Sequence, residues 1–184
     1  MTVLVDMDDT IEQLLKAWVA GVNARYGTDA RVEDVTDWDV SRAFPSLDFR
    51  QVYSVPLQPG FWKTVEPIPG AAEALKALMD AGHEVFIVTA TPLETAAEKM
   101  RDVLFRYFPF LTLEQLIITF RKQQIRGDVM IDDGPHNLEG GPWRKILMSA
   151  PHNRSYDAAA HGMERAENWD EVLALLGITK EQEA

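Results

Sequence analysis

Cysteine is absent from this 184-residue chain, which excludes a disulfide framework, a thiolate-ligated zinc and a cysteine nucleophile. Positive charge is scarce: 18 Lys and Arg stand against 29 Asp and Glu, a net charge of −11. A nucleic-acid polymer is held largely through basic residues, so this balance argues against such a partner. Any phosphate site must then be built from a few local groups. No apolar run approaches the ~18 residues that span a membrane. Acid begins at Asp6, with neither a basic region nor a long apolar one before it, so a soluble cytoplasmic protein is expected. The histidines (His83, His136, His152 and His161) show no metal-ligand spacing. His136 is placed beside an acid pair and the other three on the surface.

What is present is an ordinary globular composition, 46% hydrophobic and 26% charged. The length suits one domain or one domain with a modest insertion. Val3-Leu4-Val5 is a short β-branched run that stops at Asp6-Met7-Asp8-Asp9-Thr10, the pattern of a buried strand feeding a loop. Residues 11–26 repeat apolar side chains every three or four positions and predict a helix. Residues 27–69 are broken by prolines and rich in aromatics, which predicts short helices and loops rather than sheet. A regular alternation then begins. It runs through a helix over 71–81 ended by Gly82, the apolar strand Val85-Phe86-Ile87-Val88, and a helix over 93–107. The strands Leu116-Ile117-Ile118, Val129-Met130-Ile131 and Lys145-Ile146-Leu147-Met148 follow, then a helix over 169–176 and a charged tail at 180–183.

Alternating strands and helices predict an α/β fold with a doubly wound parallel sheet. Ligands of such sheets bind beyond the carboxyl ends of the strands. Here polar residues follow the strands: Asp6 and Asp8 the first, Thr89 the second, Lys122 the third, Asp132 and Asp133 the fourth. Four clustered carboxylates repel one another unless a cation neutralises them, and an all-oxygen set suits Mg²⁺. With a hydroxyl and an ammonium beside them, the group has the parts of a phosphoryl-transfer site. Asp6 is the natural nucleophile, forming an aspartyl-phosphate. Asp8 lies on the same side of an extended chain and suits the acid and base steps.

Asp6-Met7-Asp8-Asp9-Thr10, Thr89, Lys122 and Asp132-Asp133 resemble the four ordered motifs of the haloacid dehalogenase-like (HAD) hydrolase superfamily. Glu66-Pro67-Ile68-Pro69-Gly70-Ala71, Val85-Phe86-Ile87-Val88-Thr89 and Ile131-Asp132-Asp133-Gly134-Pro135-His136-Asn137 are more closely similar to the 5′(3′)-deoxyribonucleotidase family. Lys122 stands ten residues before Asp132, as in that family. The resemblance implies a Mg²⁺-dependent phosphomonoesterase acting on small (deoxy)nucleoside monophosphates. The Asp6 carboxylate, the Asp8 main-chain carbonyl and the pair Asp132-Asp133 would hold the metal, with Asp133 the favoured direct ligand. Thr89, Lys122 and the Ala90 N–H would bind the phosphate. Residues 1–11 and 69–184 would form the catalytic core and residues 12–68 a small helical cap, with Trp38, Phe61 and Trp62 the candidates for contact with the base. The chain departs from the family pattern at Asp9, where Gly is common, and at Ala90-Thr91-Pro92, where Ser-Pro is expected.

Other readings start from the same residues. A phosphomutase or a sugar-phosphate phosphatase of HAD type would keep both Asp6 and Asp8. A signalling receiver domain also combines acids, a hydroxyl and a lysine, but its acid pair comes first in the chain, whereas Asp132-Asp133 comes last.

Overall fold

Val3 and Val5 point to one face of a sheet and Leu4 to the other, as the two-residue period of a strand requires. Both faces are apolar, because helices cover both. On one side Val3, Val5, Val85, Ile87, Val129 and Ile131 share a buried cluster with residues of the flanking helices. On the other, Leu4, Val88, Met130 and Leu147 pack with Leu138 and Trp143. The computed structural model describes residues 1–178; the charged tail at 180–183 lies outside them. The strands are β1 (Thr2–Val5), β2 (Glu84–Thr89), β3 (Leu116–Ile118), β4 (Val129–Asp132), β5 (Arg144–Met148) and β6 (Glu164–Ala166). They form one sheet in the order β3-β2-β1-β4-β5-β6, parallel at every pairing. The expected α/β parallel sheet is therefore what forms. Its order differs from the 2-1-3-4-5 of flavodoxin-like sheets.

The helices are α1 (Leu14–Tyr26), α2 (Phe49–Tyr53), α3 (Ala71–Asp80), α4 (Leu93–Lys99), α5 (Phe105–Tyr107), α6 (Pro135–Leu138) and α7 (Trp169–Leu175). α3 buries Ala71, Ala74, Leu75 and Leu78, a stripe at helical spacing, and the chain leaves it through Gly82 at φ +81°. The helix expected over 93–107 is not uniform: a π-helical turn at Met100–Leu104 joins α4 to α5. Such turns widen the helix and re-aim its side chains, often at functional sites. Among the described residues no helix is long and apolar enough to cross a membrane.

Between β1 and β2, α1 is followed by short 3₁₀ turns and α2, with no strand among the described residues there. Val35, Val40, Phe44, Val52 and Phe61 of this insertion belong to the same apolar cluster as Val3 and Val5, so it has no separate core. β6 has no counterpart in the sequence reading. Its run Glu164-Arg165-Ala166 carries no apolar pattern because Glu164 pairs with Arg144 and Arg165 donates into the turn after β5, leaving Ala166 alone to the core.

Candidate active site

The pairing between strands continues one residue past their ends. The Asp6 N–H donates to the Ile131 carbonyl at 2.9 Å, and the Thr119 N–H to the Thr89 carbonyl at 2.9 Å. Asp6, Thr89 and Asp132 are thereby brought to the same carboxyl edge. β1 sits between β2 and β4, where the strand order reverses, which is the usual place for a ligand in an open α/β sheet.

Lys122 reaches this edge from the 3₁₀ turn Lys122–Gln124. Its Nζ lies 2.5 Å from Asp6 Oδ1 and 2.7 Å from Asp132 Oδ2, and all three groups are buried. Burial alone would weaken the Lys122 ammonium's hold on its proton, but the Asp6 and Asp132 charges outweigh it and keep the group above the usual lysine range. Asp132 is fully committed, since its Oδ1 also accepts from the Gly134 N–H (2.8 Å) and Asn137 Nδ2 (2.9 Å). Asp133 is not. Its Oδ2 meets His152 Nε2 at 3.2 Å, while its buried Oδ1 has no donor. Asp6, Asp132 and Asp133 each place a carboxylate oxygen within 4.8 Å of the others. Burial, and then the neighbouring acids, push Asp6 well above the carboxylate range against the pull of Lys122. Burial raises Asp133 too, against His152. One ammonium does not neutralise three buried carboxylates, and an all-oxygen cluster that keeps one buried oxygen without a donor fits a hard divalent cation.

A second buried lysine serves Asp8. Lys99 Nζ contacts the Asp8 carboxylate at 2.6 Å and Thr89 Oγ1 at 3.0 Å, and sits 5.0 Å from the centre of the Trp62 ring. Lys99 is 1% exposed and is the last residue before the π turn. Burial pushes the Asp8 carboxyl up, but Lys99 overcomes it and holds the group below its ordinary range. Glu12, also fully buried, lies at hydrogen-bond distance from Asp8, and burial followed by the Asp8 charge raises its carboxyl well above the usual glutamate value.

Asp9, where the family pattern favours Gly, has φ +51°, a left-handed conformation that Gly adopts most freely and Asp tolerates. Its carboxylate accepts from the Leu15 N–H at 2.9 and 3.2 Å, satisfying an orphan donor of α1's first turn. This corrects the helix start: α1 begins at Leu14, and residues 11–13 form its approach, their main chain bonded to the 66–68 segment through Gln13 N–H to the Glu66 carbonyl and Ile68 N–H to the Ile11 carbonyl (2.9 Å each).

Two cavities open on the acids. One, of about 220 Å³, has Asp6, Asp8, Asp133 and Lys122 at its floor and Trp18, Trp38 and Tyr53 on the insertion side. The other, of about 190 Å³, extends from Asp8 past Lys99 to Trp62 and Leu57. Asp8, Leu14, Trp18, Tyr53 and Ala90 line both.

The family model for 5′ nucleotidase, deoxy (pyrimidine), cytosolic type C protein matches residues 1–182. The chain belongs to this family. A relative from Bacillus subtilis, a 5′(3′)-deoxyribonucleotidase, is 32% identical over 171 residues, 92% of this chain and 95% of that one. One of the same name from Clostridium acetobutylicum is 29% identical over 180 residues, 98% and 97% of the two chains. Among solved structures, a HAD family hydrolase from Deinococcus radiodurans with bound phosphate and sodium superposes with TM-score 0.61 at 18% identity, over 98% of each chain. A haloacid dehalogenase-like hydrolase from Streptococcus pneumoniae does so with TM-score 0.61 at 12% identity, over 95% and 97%. These structures establish the fold as HAD-like. As a member of the nucleotidase family the chain is a hydrolase.

In this family member the structure brings Asp6, Asp8, Ala90, Lys122, Asp132 and Asp133 together at the carboxyl edge of the sheet. Thr89 joins them through Lys99 and is itself fully buried. The aromatics separate. Trp38, 52% exposed, lines the larger cavity, and Trp62 lines the smaller. Phe61 lines neither and packs edge-on against Trp62 within the apolar cluster. His152, expected on the surface, is turned inward against Asp133, because β5 delivers the turn that follows it beside the end of β4. Sequence reasoning missed Lys99, Glu12, Trp18, Tyr53 and His152. For Lys99 a signal existed: with Thr95 and Val103 it stands on one stripe at spacings of four, and all three are buried.

Proposed function

We propose that the protein is a Mg²⁺-dependent phosphomonoesterase that removes phosphate from small (deoxy)nucleoside monophosphates through an aspartyl-phosphate on Asp6. The observation that carries this reading is the Asp6 carboxylate at the tip of β1, held by Lys122 beside the donor-less Oδ1 of Asp133. The Asp6 carboxylate, the Asp8 main-chain carbonyl and Asp133 would hold Mg²⁺. Asp132 supports the set from behind, since its oxygens are already committed to Lys122, Gly134 and Asn137. Bound there, the ion supplies positive charge against the phosphoryl oxygens and the clustered acids.

In the first step an Asp6 oxygen attacks phosphorus, the bond from phosphorus to the ester oxygen breaks, and the leaving alkoxide takes a proton from Asp8. A phosphate dianion entering beside Asp8 raises that group's affinity for a proton, so substrate binding prepares the acid. In the second step water attacks phosphorus, Asp8 takes the water's proton, and the bond from phosphorus to Asp6 breaks, releasing inorganic phosphate. Lys122 balances the charge on the transferring group, and the Ala90 N–H and Thr89 support its oxygens. Lys99 holds Asp8 between the two cavities.

Residues 12–68 act as a small cap, excluding water and presenting Trp18, Trp38 and Tyr53 to the nucleoside. The two cavities together reach the size of small-molecule sites (~300–1,000 Å³). The names of the relatives support a deoxynucleotide substrate, and the deficit of positive charge outside the site supports a monomeric rather than a polymeric one. Asp6→Asn keeps the shape and removes the nucleophile. We expect it to fold with a thermal transition close to that of the parent and to release phosphate at least ~10³-fold more slowly. Parent-like turnover in that variant would remove the covalent step from the mechanism.

A further inference from the structure

The main chain of Asp133 and one of its carboxylate oxygens are held from one place. His152 and Asn153 stand on the 3₁₀ turn Pro151–Asn153 that follows β5. His152 Nε2 lies 3.2 Å from Asp133 Oδ2 and 3.3 Å from the Asp133 carbonyl. Asn153 Nδ2 donates to that same carbonyl at 2.7 Å and to the Met148 carbonyl at 2.7 Å, so one amide bridges the ends of β4 and β5. Its orientation is determined from the other side. Asn153 Oδ1 accepts from Arg165 Nη1 at 2.9 Å and from the Ala150 N–H at 3.2 Å. Arg165, in β6, anchors the whole turn by donating also to the carbonyls of Asn153 (3.1 Å) and Tyr156 (2.8 Å) and to Ser149 Oγ (3.1 Å). Asn153 is 2% exposed. On the cavity side the Trp38 ring meets the His152 ring edge-on at 5.1 Å, so the imidazole is packed between Asp133 and the insertion.

These contacts fix the main chain of Asp133 and its Oδ2, and leave Oδ1 alone without a donor. A clamp whose purpose was to satisfy the carboxylate would cover both oxygens. We propose that His152 and Asn153 are positioning residues that hold Asp133 Oδ1 toward the cation and so set the protein's affinity for Mg²⁺. This rests on the reading above in which Asp133 is a metal ligand. Partners that orient a ligand in this way typically contribute ten- to a hundredfold in metal affinity.

The test measures Mg²⁺ binding to the full chain without substrate, by calorimetry and by the Mg²⁺-dependent rise in unfolding temperature, in His152→Phe, His152→Gln and Asn153→Ala. Phenylalanine keeps the ring and removes the donor, whereas glutamine keeps a donor near the position of Nε2. We expect His152→Phe and Asn153→Ala to weaken Mg²⁺ binding about ten- to a hundredfold and His152→Gln to restore most of it. Excess Mg²⁺ should then recover phosphate release in the weakened variants. Parent-like Mg²⁺ affinity in His152→Phe, or in Asn153→Ala should the first variant not fold, overturns the proposal while leaving the phosphatase reading intact. A parent protein that itself shows no Mg²⁺ binding overturns both.

Discussion

Replacing Glu12 by glutamine tests the electrostatics of the site without touching a group that reacts. Glu12 is fully buried, no donor reaches either of its oxygens, and it faces the Asp8 carboxylate. Two carboxylates so placed share a proton, and with Asp8 held ionised by Lys99 that proton resides on Glu12. Folded Glu12 therefore keeps its proton well above its ordinary value of 4.5, chiefly because of burial and then because of Asp8. In the unfolded chain it ionises at that ordinary value. Over this window the folded state binds more protons than the unfolded one, so stability is fully present below pH 4.5 and falls as pH rises toward the folded-state value. The loss is about 1.4 kcal/mol per pH unit. Glutamine mimics protonated Glu12 at every pH and escapes the loss. At pH 6.5 the variant is therefore expected to be more stable than the parent, and the gap should widen with each pH unit above 4.5 through which folded Glu12 keeps its proton. At pH 4.5 and below the two should coincide. Thermal unfolding in matched buffers from pH 4 to 8 reads the difference. A Tm gap that does not change with pH would refute the reasoning.

Three more outcomes follow from the same geometry. Lys122→Met leaves Asp6 and Asp132 buried without their cation, a change that typically costs ~3–5 kcal/mol; calorimetry should show a drop in Tm of roughly 6–20 °C, part of it recovered by Mg²⁺. Lys99→Met frees Asp8 and Thr89 from their shared partner, and steady-state kinetics should show kcat reduced about 10²-fold with a smaller change in KM. Asp9→Gly relieves a positive φ, about 1 kcal/mol, but removes the cap on Leu15, about 0.5–2 kcal/mol; the opposing effects should leave Tm within a few degrees of the parent, and a fall of ten degrees would contradict the balance.

The sheet was legible because its strands are buried on both faces, so Val85-Phe86-Ile87-Val88 and Val129-Met130-Ile131 read as unbroken apolar runs. β6 was not, since two of its three residues, Glu164 and Arg165, are charged and spent on Arg144 and on the turn after β5. The acids were legible for a topological reason: in a parallel sheet every strand ends at the same edge, so residues following separate strands converge. Lys99, Glu12 and His152 escaped for three physical reasons. Lys99 is one charge in a helix rich in charges, distinguished only by its place on the buried stripe. Glu12 sits in the non-helical approach to α1, where helical periodicity misplaces it. His152 lies 19 residues from Asp133, and only the adjacency of β4 and β5 brings them together. Phe61 and Trp62 are neighbours of similar chemistry, and which of them faces a cavity is decided by the 3₁₀ turn Phe61–Thr64.

Phosphate release from a panel of monophosphates, first with Mg²⁺ and then with a chelator, tests the central claim most directly. The panel pairs deoxyribonucleotides with ribonucleotides and 5′ with 3′ phosphates, and adds several sugar phosphates. The account predicts release that favours deoxynucleotides, is lost with chelator and returns when Mg²⁺ is restored. Release that persists undiminished in chelator, or no release from any nucleotide, would contradict it.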